Sequence, residues 1–283
     1  MSEERFLLID GHHLFHRTYN ALPRSIVGRD GAPIQGVHGF AGAFLRLVRR
    51  FAPTHVSIPF DPPEPPFRRV LFPDYRTGRP RGTEEEVANF DAQVSQVLHV
   101  LDHLGITHPM IPGYEADDVL GTLAGRAAAG GLPTTIVSGD RDLLQLVGPG
   151  VDVFMPKGQE GETWTPALVE ERWGVRAGQF TDLKALIGDT SDHIPGVPGI
   201  GPRTAAALLA KHGDLDALYA ALPNIPGRQA ALLEEHRERV QLNRKLVTIV
   251  TTLDVPADLH GYRWSCEETW TAGTLLAATG LRG

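Results

Sequence analysis

Three acidic residues fall within four positions of the segment GYEADDVL (113–120): Glu115, Asp117 and Asp118. Two carboxylates about 5 Å apart repel each other by roughly 3 kcal/mol at an effective dielectric constant near 20. Such a group of acids is exposed to water, shares protons or binds a cation. The spacing therefore raises the question of a metal site, and the answer depends on the elements that position the acids.

Three further acids stand at the ends of predicted strands. Short apolar, β-branched runs bounded by turn residues predict four strands: 5–10, 54–61, 134–140 and 151–156. Asp10, Asp61 and Asp140 end the first three of these runs. In a parallel α/β sheet, ligands bind beyond the carboxyl ends of the strands, so we expect these acids at one edge of the sheet.

Apolar residues at helical spacing predict the elements between and after the strands. Helices are expected at 39–51, 83–105, 115–131, 166–174, 179–188, 202–212, 214–222 and 228–250. Strands that alternate with helices are typical of an α/β fold with a parallel sheet. We therefore predict an α/β core over residues 1–160 and a mainly helical region over residues 161–283.

The acids form a larger set of nine. Asp142 follows Asp140 closely, and the segment GDTSDHIPG (188–196) adds Asp189 and Asp192 in a turn. Each acid alone is also typical of a helix cap or a turn, but a common location favours one shared site. Oxygen ligands without cysteines or paired histidines suit a hard cation such as Mg²⁺ or Mn²⁺. Two such ions about 4 Å apart can activate a water molecule and stabilise the leaving oxygen of a phosphodiester.

Composition excludes several other classes of protein. Cys266 is the only cysteine, so an internal disulfide and a cysteine-based zinc site are excluded. No apolar run is long enough to span a membrane, and the start, MSEERFLLID, has acids where a secretory signal needs bases. The net charge of −7 would be +2 without the nine acids, which readmits nucleic acid as a partner. The single cysteine also fits a reducing cytoplasm. The family resemblance described below adds the expectation of a monomeric protein associated with the bacterial nucleoid.

A basic stretch, RRVLFPDYRTGRPR, occupies residues 68–81. Its five arginines are Arg68, Arg69, Arg76, Arg79 and Arg81. Phe72 and Tyr75 lie between them. Guanidinium and aromatic planes together suit stacking on exposed bases and contact with the phosphates of a single strand. A solvated loop with incidental arginines is the alternative.

A glycine-rich segment, GVPGIGPRTAAALLAKHG (196–213), follows the predicted helix at 179–188. Its glycines allow a tight turn with exposed N–H groups, and Pro202 suits the first turn of the next helix. The pattern predicts a helix–hairpin–helix at about 181–213, whose turn would bind a phosphate and hold a duplex without reading its sequence. The order GxxGxG, without a preceding strand, differs from the dinucleotide-binding fingerprint.

Six ordered motifs carry a resemblance to a known family: LLIDGHHLFHRTY, PFDPPEPPFR, YRTGRP, GYEADDVLGTLA, SGDRDLLQLV and LIGDTSDHIPGVPGIGPRTAAALL. Together they resemble the bacterial 5′→3′ exonuclease and flap endonuclease family, which includes the N-terminal nuclease domain of DNA polymerase I. The similarity spans about residues 5–250. It implies a PIN-like nuclease fold with a parallel sheet, a helical arch at about 62–105 and a helix–hairpin–helix in the C-terminal region.

The resemblance also implies roles for individual residues. It implies hydrolysis that depends on two or more Mg²⁺ or Mn²⁺ ions, held by Asp10, Asp61, Glu115, Asp117, Asp118, Asp140, Asp142, Asp189 and Asp192. The first five, with Arg76 and Arg79, are expected to be catalytic. Branched or 5′-flap DNA is the expected partner, contacted by Arg68, Tyr75, Arg76, Arg79, Arg81, Lys184, Gly199, Gly201, Arg203 and Thr204. A monovalent cation, usually K⁺ in the family, is expected at the backbone of Val197, Ile200 and Gly201.

The chain departs from the family pattern at a few positions. Arg76 and Arg141 stand where lysine is frequent, and His16 and His193 replace a common tyrosine and asparagine. All nine acids are present, so we expect a 5′→3′ exonuclease and flap endonuclease of DNA replication and repair, and the opening Met favours a stand-alone nuclease. The alternatives are a ribonuclease acting on RNA-primed junctions and a non-catalytic protein that binds branched DNA. The sequence leaves the balance of exonuclease and endonuclease action open.

Overall fold

The architecture is known from a computed structural model, which describes residues 3–77, 82–158, 160–225, 227–256, 258–265 and 269–281. Its main sheet has the strand order β2-β1-β3-β4-β5. The strands are β1 (Phe6–Ile9), β2 (His55–Ser57), β3 (Thr134–Val137), β4 (Val151–Lys157) and β5 (Glu160–Trp164). The first four are parallel and correspond to the predicted strands; β5 pairs antiparallel with β4. The sequence pattern did not indicate β5, because EGETW lies on an edge and has no apolar run.

The first half of the chain contributes five helices in its described part. They are α1 (Gly11–Ala21), α2 (Gln35–Phe51), α3 (Phe67–Leu71), α4 (Glu84–His103) and α5 (Ala116–Ala129). The predictions at 39–51, 83–105 and 115–131 correspond to α2, α4 and α5. Helix α1 was missed because histidines interrupt its apolar pattern. The predicted arch region contains α3 and α4, while residues 78–81, with Arg79 and Arg81, lie outside the described residues.

From residue 166 onwards, the described part of the chain is mainly helical apart from one short hairpin. Its helices are α6 (Pro166–Trp173), α7 (Phe180–Ile187), α8 (Pro202–His212), α9 (Leu215–Ala221), α10 (Arg228–Glu235), α11 (Arg237–Val247) and α12 (Ala272–Ala278). The hairpin strands β6 (Gly188–Asp189) and β7 (Ile194–Pro195) lie between α7 and α8. The predicted helix at 228–250 is divided at His236, and α12 lies in a stretch that had no recognisable pattern.

Both faces of the sheet are buried. Phe6 and Leu8 of β1 belong to one core with residues of α5, α7 and α8, whereas Leu7 and Ile9 belong to a second core with residues of α1, α2 and α4. This alternation follows from the two-residue repeat of a strand, and burial on both faces is typical of parallel sheets. The carboxyl ends of the strands therefore offer an edge where polar groups can gather. No helix in the described part of the chain is long and apolar enough to cross a membrane.

A buried arginine joins the base of the predicted arch to the core. Arg68, in α3, is only 3% exposed. Its guanidinium donates to Glu115 Oε2 at 2.9 Å and to both oxygens of Asp118 at 2.7 and 2.8 Å. It also donates to the carbonyl oxygens of Leu246 and Thr248, both at 2.8 Å. One side chain thus connects α3, the start of α5 and the end of α11.

Replacing Arg68 with alanine is expected to destabilise the protein by about 3–5 kcal/mol, because the change leaves two carboxylates without their buried partner. Urea unfolding at pH 7 measures the difference. The neighbouring Arg69→Ala variant is the control, since Arg69 makes no ion pair with a described residue, and it should stay within about 0.5 kcal/mol of the unchanged protein. Equal stability of the two variants would contradict this role for Arg68.

Candidate metal centre and nucleic-acid interface

Two strand-end acids are fixed by contacts to the starts of helices. Asp10 follows β1 directly and caps α1, where its side chain accepts from the His13 N–H at 2.9 Å and from Ser138 Oγ at 2.7 Å. Asp61 lies four residues beyond β2 and accepts from the Ala116 N–H, in the first turn of α5, at 2.7 Å. The parallel strands thus deliver both carboxylates to the edge where α5 begins.

The acids at this edge raise one another's pKa. Burial, followed by the charges of Asp61 and Asp140, raises the pKa of Asp10 to about 7, although the bonds from His13 and Ser138 oppose the change. Burial, then the charges of Asp140 and Asp10, raises the pKa of Asp117 well above its usual value. Asp117 makes no hydrogen bond or ion pair with a described residue. Its carboxylate is therefore the least compensated of the group.

A second group of acids surrounds a lysine. Lys184, in α7, lies 2.8 Å from Asp142 Oδ1 and also pairs with Asp189, at the base of the hairpin. Burial and the charge of Asp140 raise the pKa of Asp142 to about 7. Burial also acts against ionisation of Asp189, but hydrogen bonds from Lys184 and Ser191 hold the pKa of Asp189 below its usual value.

Arg76 links the two groups of acids. Its Nε lies 2.9 Å from Asp192 Oδ1, a second nitrogen pairs with Glu115, and Asp140 is 4.0 Å away. The backbone at Arg76 has φ +53°, a left-handed conformation that is uncommon for residues other than glycine. Its N–H donates to the carbonyl oxygen of Asp192 at 3.2 Å. An arginine thus supplies positive charge among acids from several elements.

Hydrogen bonds, ion pairs and mutual repulsion connect the nine predicted acids: Asp118 is joined through Arg68, and Asp117 through repulsion by Asp140 and Asp10. Within the described ranges, however, no three side chains of the His, Cys, Asp and Glu types are already arranged to hold a metal ion. Arg76, Lys184 and Arg68 occupy carboxylate oxygens that a metal would need. The donor set consists of carboxylates alone, and those with raised pKa lack a full counter-charge. These residues fit a hard divalent cation.

Two cavities border this network. One, of about 590 Å³, is lined by Asp140, Lys184, Asp189 and the hairpin. The other, of about 230 Å³, is lined by Asp61, Glu115, Arg76 and neighbouring residues. Both cavities reach the acids from the surface. The network is therefore accessible to ions and to a ligand that approaches from the hairpin.

Three of the residues expected to contact DNA are buried among the acids. Arg68 and Tyr75 are both 3% exposed, and the Tyr75 hydroxyl donates to Glu115 Oε2 at 3.0 Å. Lys184 is buried between its two acids. Burial differs from the exposed, base-stacking role expected for Arg68 and Tyr75, because the carboxylates of α5 attract both side chains inward. In this arrangement all three side chains contact carboxylates, and their contacts with DNA stay predictions.

The predicted hairpin is present and depends on two glycines. A Cβ atom at Gly196 would lie 2.1 Å from the carbonyl oxygen of Ile187, and one at Gly188, whose φ is +74°, would lie 2.3 Å from Gly196 N. The turn is closed by hydrogen bonds from Val197 N to Leu186 O at 2.8 Å and from Ile200 N to Val197 O at 3.0 Å. The backbone thus reaches the start of α8 in a tight path.

The surface beyond the turn is open. Gly199, Gly201 and Arg203 are exposed and Thr204 is half-buried at the N-terminus of α8. Backbone N–H groups in the first turn of a helix have no partner within that helix, and the helix dipole favours an anion there. DNA contacts by these residues, and a monovalent cation at Val197, Ile200 and Gly201, stay predictions.

Sequence reasoning missed the contacts that hold the acids. Ser138, which binds Asp10, stands two residues before Asp140 in the motif SGD, and this spacing was the available signal. The inward orientation of Arg68 and Arg76 had no such signal, because an arginine in a basic stretch resembles a surface residue. Their partners come from segments more than thirty residues away.

The Arg76→Ala variant should bind divalent ions several-fold more tightly than the unchanged protein, because it loses a cation that competes for carboxylates. Calorimetric titration with Mn²⁺ at pH 7.5, without DNA, measures the affinity. Arg76→Lys should bind the ion less tightly than Arg76→Ala, since it keeps the charge. Arg46→Ala, at an exposed position on α2 away from the acids, is the control. Weaker binding by Arg76→Ala would show that the guanidinium does not compete with metal.

The Asp117→Asn variant should be more stable than the unchanged protein when metal is removed. Ionisation of Asp117 costs more as the pH rises above its ordinary pKa of 3.8, so the gain should be small at pH 4 and grow towards pH 8. The gain should appear as a higher Tm in EDTA, larger at pH 8 than at pH 4. Asp254→Asn, at an exposed position, is the control. A lower Tm at pH 8 would contradict the repulsion.

The architecture is similar to that of several solved structures. A bacteriophage T5 flap endonuclease in a pseudo-enzyme-product complex with DNA and metal ions has a TM-score of 0.72 and 22% identity, covering 88% of this chain and 90% of that one. The catalytic core of Rad2 with a DNA substrate has a TM-score of 0.60 and 15% identity, with coverage of 98% and 87%. Human GEN1 with Holliday junction DNA has a TM-score of 0.58 and 14% identity, with coverage of 98% and 72%. These structures share the fold.

Relatives found by sequence have a higher sequence identity to this chain than these structures do. The thermostable DNA polymerase I of Thermus filiformis is 38% identical over 99% of this chain and 34% of its own length. DNA polymerase I of Streptococcus pneumoniae is 34% identical over 100% of this chain and 32% of its own length. The chain spans about a third of the length of these relatives.

Two parts of one family account for most of the chain. Residues 5–174 match the 5′-3′ exonuclease N-terminal resolvase-like domain, and residues 175–269 match the 5′-3′ exonuclease C-terminal SAM fold. The two matched segments meet directly, and together they contain every predicted acid and the hairpin. The chain belongs to the 5′-3′ exonuclease family.

Proposed function

We propose that this chain is a metal-dependent 5′→3′ exonuclease and structure-specific flap endonuclease that hydrolyses DNA phosphodiesters in replication and repair. The observation that carries the proposal is the cluster at the sheet edge, where Asp10, Asp117 and Asp140 come from three elements and burial and mutual repulsion raise the pKa of Asp10 and Asp117. Such a cluster costs folding stability, and a divalent cation would offset that cost. Family membership fits a nuclease role for the same residues.

The acids divide into two proposed ligand groups. Asp10, Asp61, Glu115, Asp117 and Asp118 would serve one ion, and Asp140, Asp142, Asp189 and Asp192 the second, partly through water. When bound, Mg²⁺ or Mn²⁺ would supply a Lewis acid and an activated water for attack on the phosphorus. Asp118 would act mainly by holding Arg68 and the start of α5, because its two oxygens already accept from Arg68 and from backbone N–H groups.

Arg76 and Lys184 have a role during the exchange of ions. In the metal-free arrangement they neutralise acids of both groups. When metal replaces that charge, Arg76 would be free to contact the scissile phosphate, where its fork-shaped guanidinium can bind two oxygens. Arg79 would also contact the scissile phosphate, and Arg81 would contact the single strand. Both residues lie outside the described residues.

The hairpin and the start of α8 would hold the duplex. Gly199, Gly201, Arg203 and Thr204 would contact its phosphates, and a K⁺ ion at the backbone of Val197, Ile200 and Gly201 would bridge protein and phosphate. Such contacts position DNA without reading its sequence. Branched or 5′-flap DNA is the proposed substrate, and the protein would act as a monomer in the bacterial cytoplasm.

Cleavage of a 5′-flap DNA labelled at its 5′ end tests the proposal. We expect products near the flap junction with Mg²⁺ or Mn²⁺ and none with EDTA. Asp117→Asn should reduce the rate by at least about 100-fold, because losing several kcal/mol of electrostatic stabilisation corresponds to that factor. Asp254→Asn, at an exposed position away from the cluster, should retain full activity.

Assays with several substrates side by side distinguish the alternative functions. Equal flaps made of DNA, of RNA and of RNA joined to DNA distinguish a deoxyribonuclease from a ribonuclease. Release of mononucleotides alone would assign exonuclease action without endonuclease action. Tight binding without cleavage under either ion, or full activity of Asp117→Asn, would overturn the proposal.

A further inference from the structure

A cleft of about 670 Å³ lies beside the hairpin, next to the acidic network. Two tryptophans, Trp164 and Trp173, line it together with three arginines, Arg141, Arg172 and Arg203. None of the roles described above involves the tryptophans or Arg172. The cleft shares Arg141, Trp173 and Pro202 with the cavity that contains Asp140 and Lys184. It therefore continues the same groove away from the acids.

The two indoles are held in place by the fold. Trp164 is the last residue of β5 and Trp173 the last residue of α6. Trp173 packs edge-on against Phe180, with ring centroids 5.2 Å apart, and both tryptophans are half-buried. The Arg141 guanidinium lies 5.8 Å from the centroid of Trp173. Aromatic surfaces that are fixed in this way lose little conformational entropy when a flat group stacks on them.

The positive charges of the arginines in the cleft are not fully neutralised by acidic side chains. Arg141 and Arg203 are exposed and make no ion pair with a described residue. Arg172 lies 3.5 Å from Glu162 and 3.6 Å from Glu171, but all three side chains are at least half exposed. Exposed pairs of this kind contribute little and exchange readily. The rim is therefore available to an anionic ligand.

The shape of the cleft suits a flat ring. Gly174 and Ala206 line it, with the Ala206 Cβ 3.5 Å from the position that a Cβ at Gly174 would take. Small residues beside two indoles leave room for an aromatic ligand, and the arginines add sites for phosphate. Stacking planes combined with guanidinium groups are typical of sites for single-stranded nucleic acid. An acidic peptide would use the arginines but would leave the indoles without a stacking partner.

We propose that this cleft binds an unpaired nucleotide of a single strand, with its base stacked on the indole of Trp164 or Trp173 and its phosphates beside Arg172 and Arg203. The inference deepens the proposed function, since the cleft would take a strand that leaves the hairpin. It extends the nucleic-acid surface to β5 and α6. Binding at this site requires neither a metal ion nor cleavage.

Fluorescence anisotropy in EDTA, with a labelled thymidine oligonucleotide, tests this site. Trp164→Ala should lower the affinity about tenfold, as expected for the loss of one stacked base. Trp164→Phe should bind nearly as well as the unchanged protein and shows that the fold is retained. Arg172→Ala should weaken binding several-fold and reduce its salt dependence. Arg46→Ala, at an exposed position on α2 across the sheet, is the matched control and should bind normally.

An abasic oligonucleotide of the same length identifies the base as the ligand. It should bind the unchanged protein and Trp164→Ala equally. Equal losses by Trp164→Ala on both oligonucleotides, or no loss on either, would overturn the proposal. Displacement of the oligonucleotide by polyglutamate at equal charge, again dependent on Trp164, would assign the cleft to an acidic protein and overturn it as well.

The two proposals fail separately. If the unchanged protein cleaves flap DNA with metal while Trp164→Ala binds the thymidine oligonucleotide normally, only the cleft assignment is overturned. If binding depends on Trp164 and on the bases but no metal supports cleavage, the cleft assignment stands and the nuclease proposal is overturned.

Discussion

Repulsion among carboxylates that the parallel strands bring to one edge is the constraint on which the rest of this structure depends. Asp10, Asp117 and Asp142 all have raised pKa values because they are buried close to other acids. The chain balances this repulsion with its own cations, Arg76 and Lys184. Arg76 bonds Glu115 and Asp192, and Lys184 bonds Asp142 and Asp189, so acids from separate elements share the charges. The acidic edge is thus held together by cations of the chain itself.

The sequence predicted the framework well because its signals are local. Four of the five sheet strands and the principal helices follow from periodicity, and the glycines of the hairpin predict a tight turn that the contacts between Gly188 and Gly196 require. The strand-end acids were predictable for the same reason, since parallel topology fixes where the ends lie. The family resemblance implied the same framework and the same acids.

The partners of the acids were not predictable from the same signals. Arg68 and Tyr75 lie in a stretch that suggests exposure, but long-range attraction to Glu115 and Asp118 buries them. Edge strand β5 has no apolar run, and histidines interrupt the helical spacing of apolar residues in α1. For Arg68 and Tyr75 the deciding interaction joins residues far apart in the chain, and a local pattern carries no record of it.

The left-handed backbone at Arg76 has a counterpart at His193, where φ is +60°. The two segments meet there: Arg76 N–H donates to Asp192 O, and Thr77 Oγ1 lies 3.3 Å from His193 Nδ1. These hydrogen bonds join the segment after α3 to the tip of the hairpin. A ligand that favours one conformation of either segment changes the affinity of the other for its own ligand by the same factor. The ligands proposed for the hairpin and for the acidic edge would therefore change each other's affinity in equal measure.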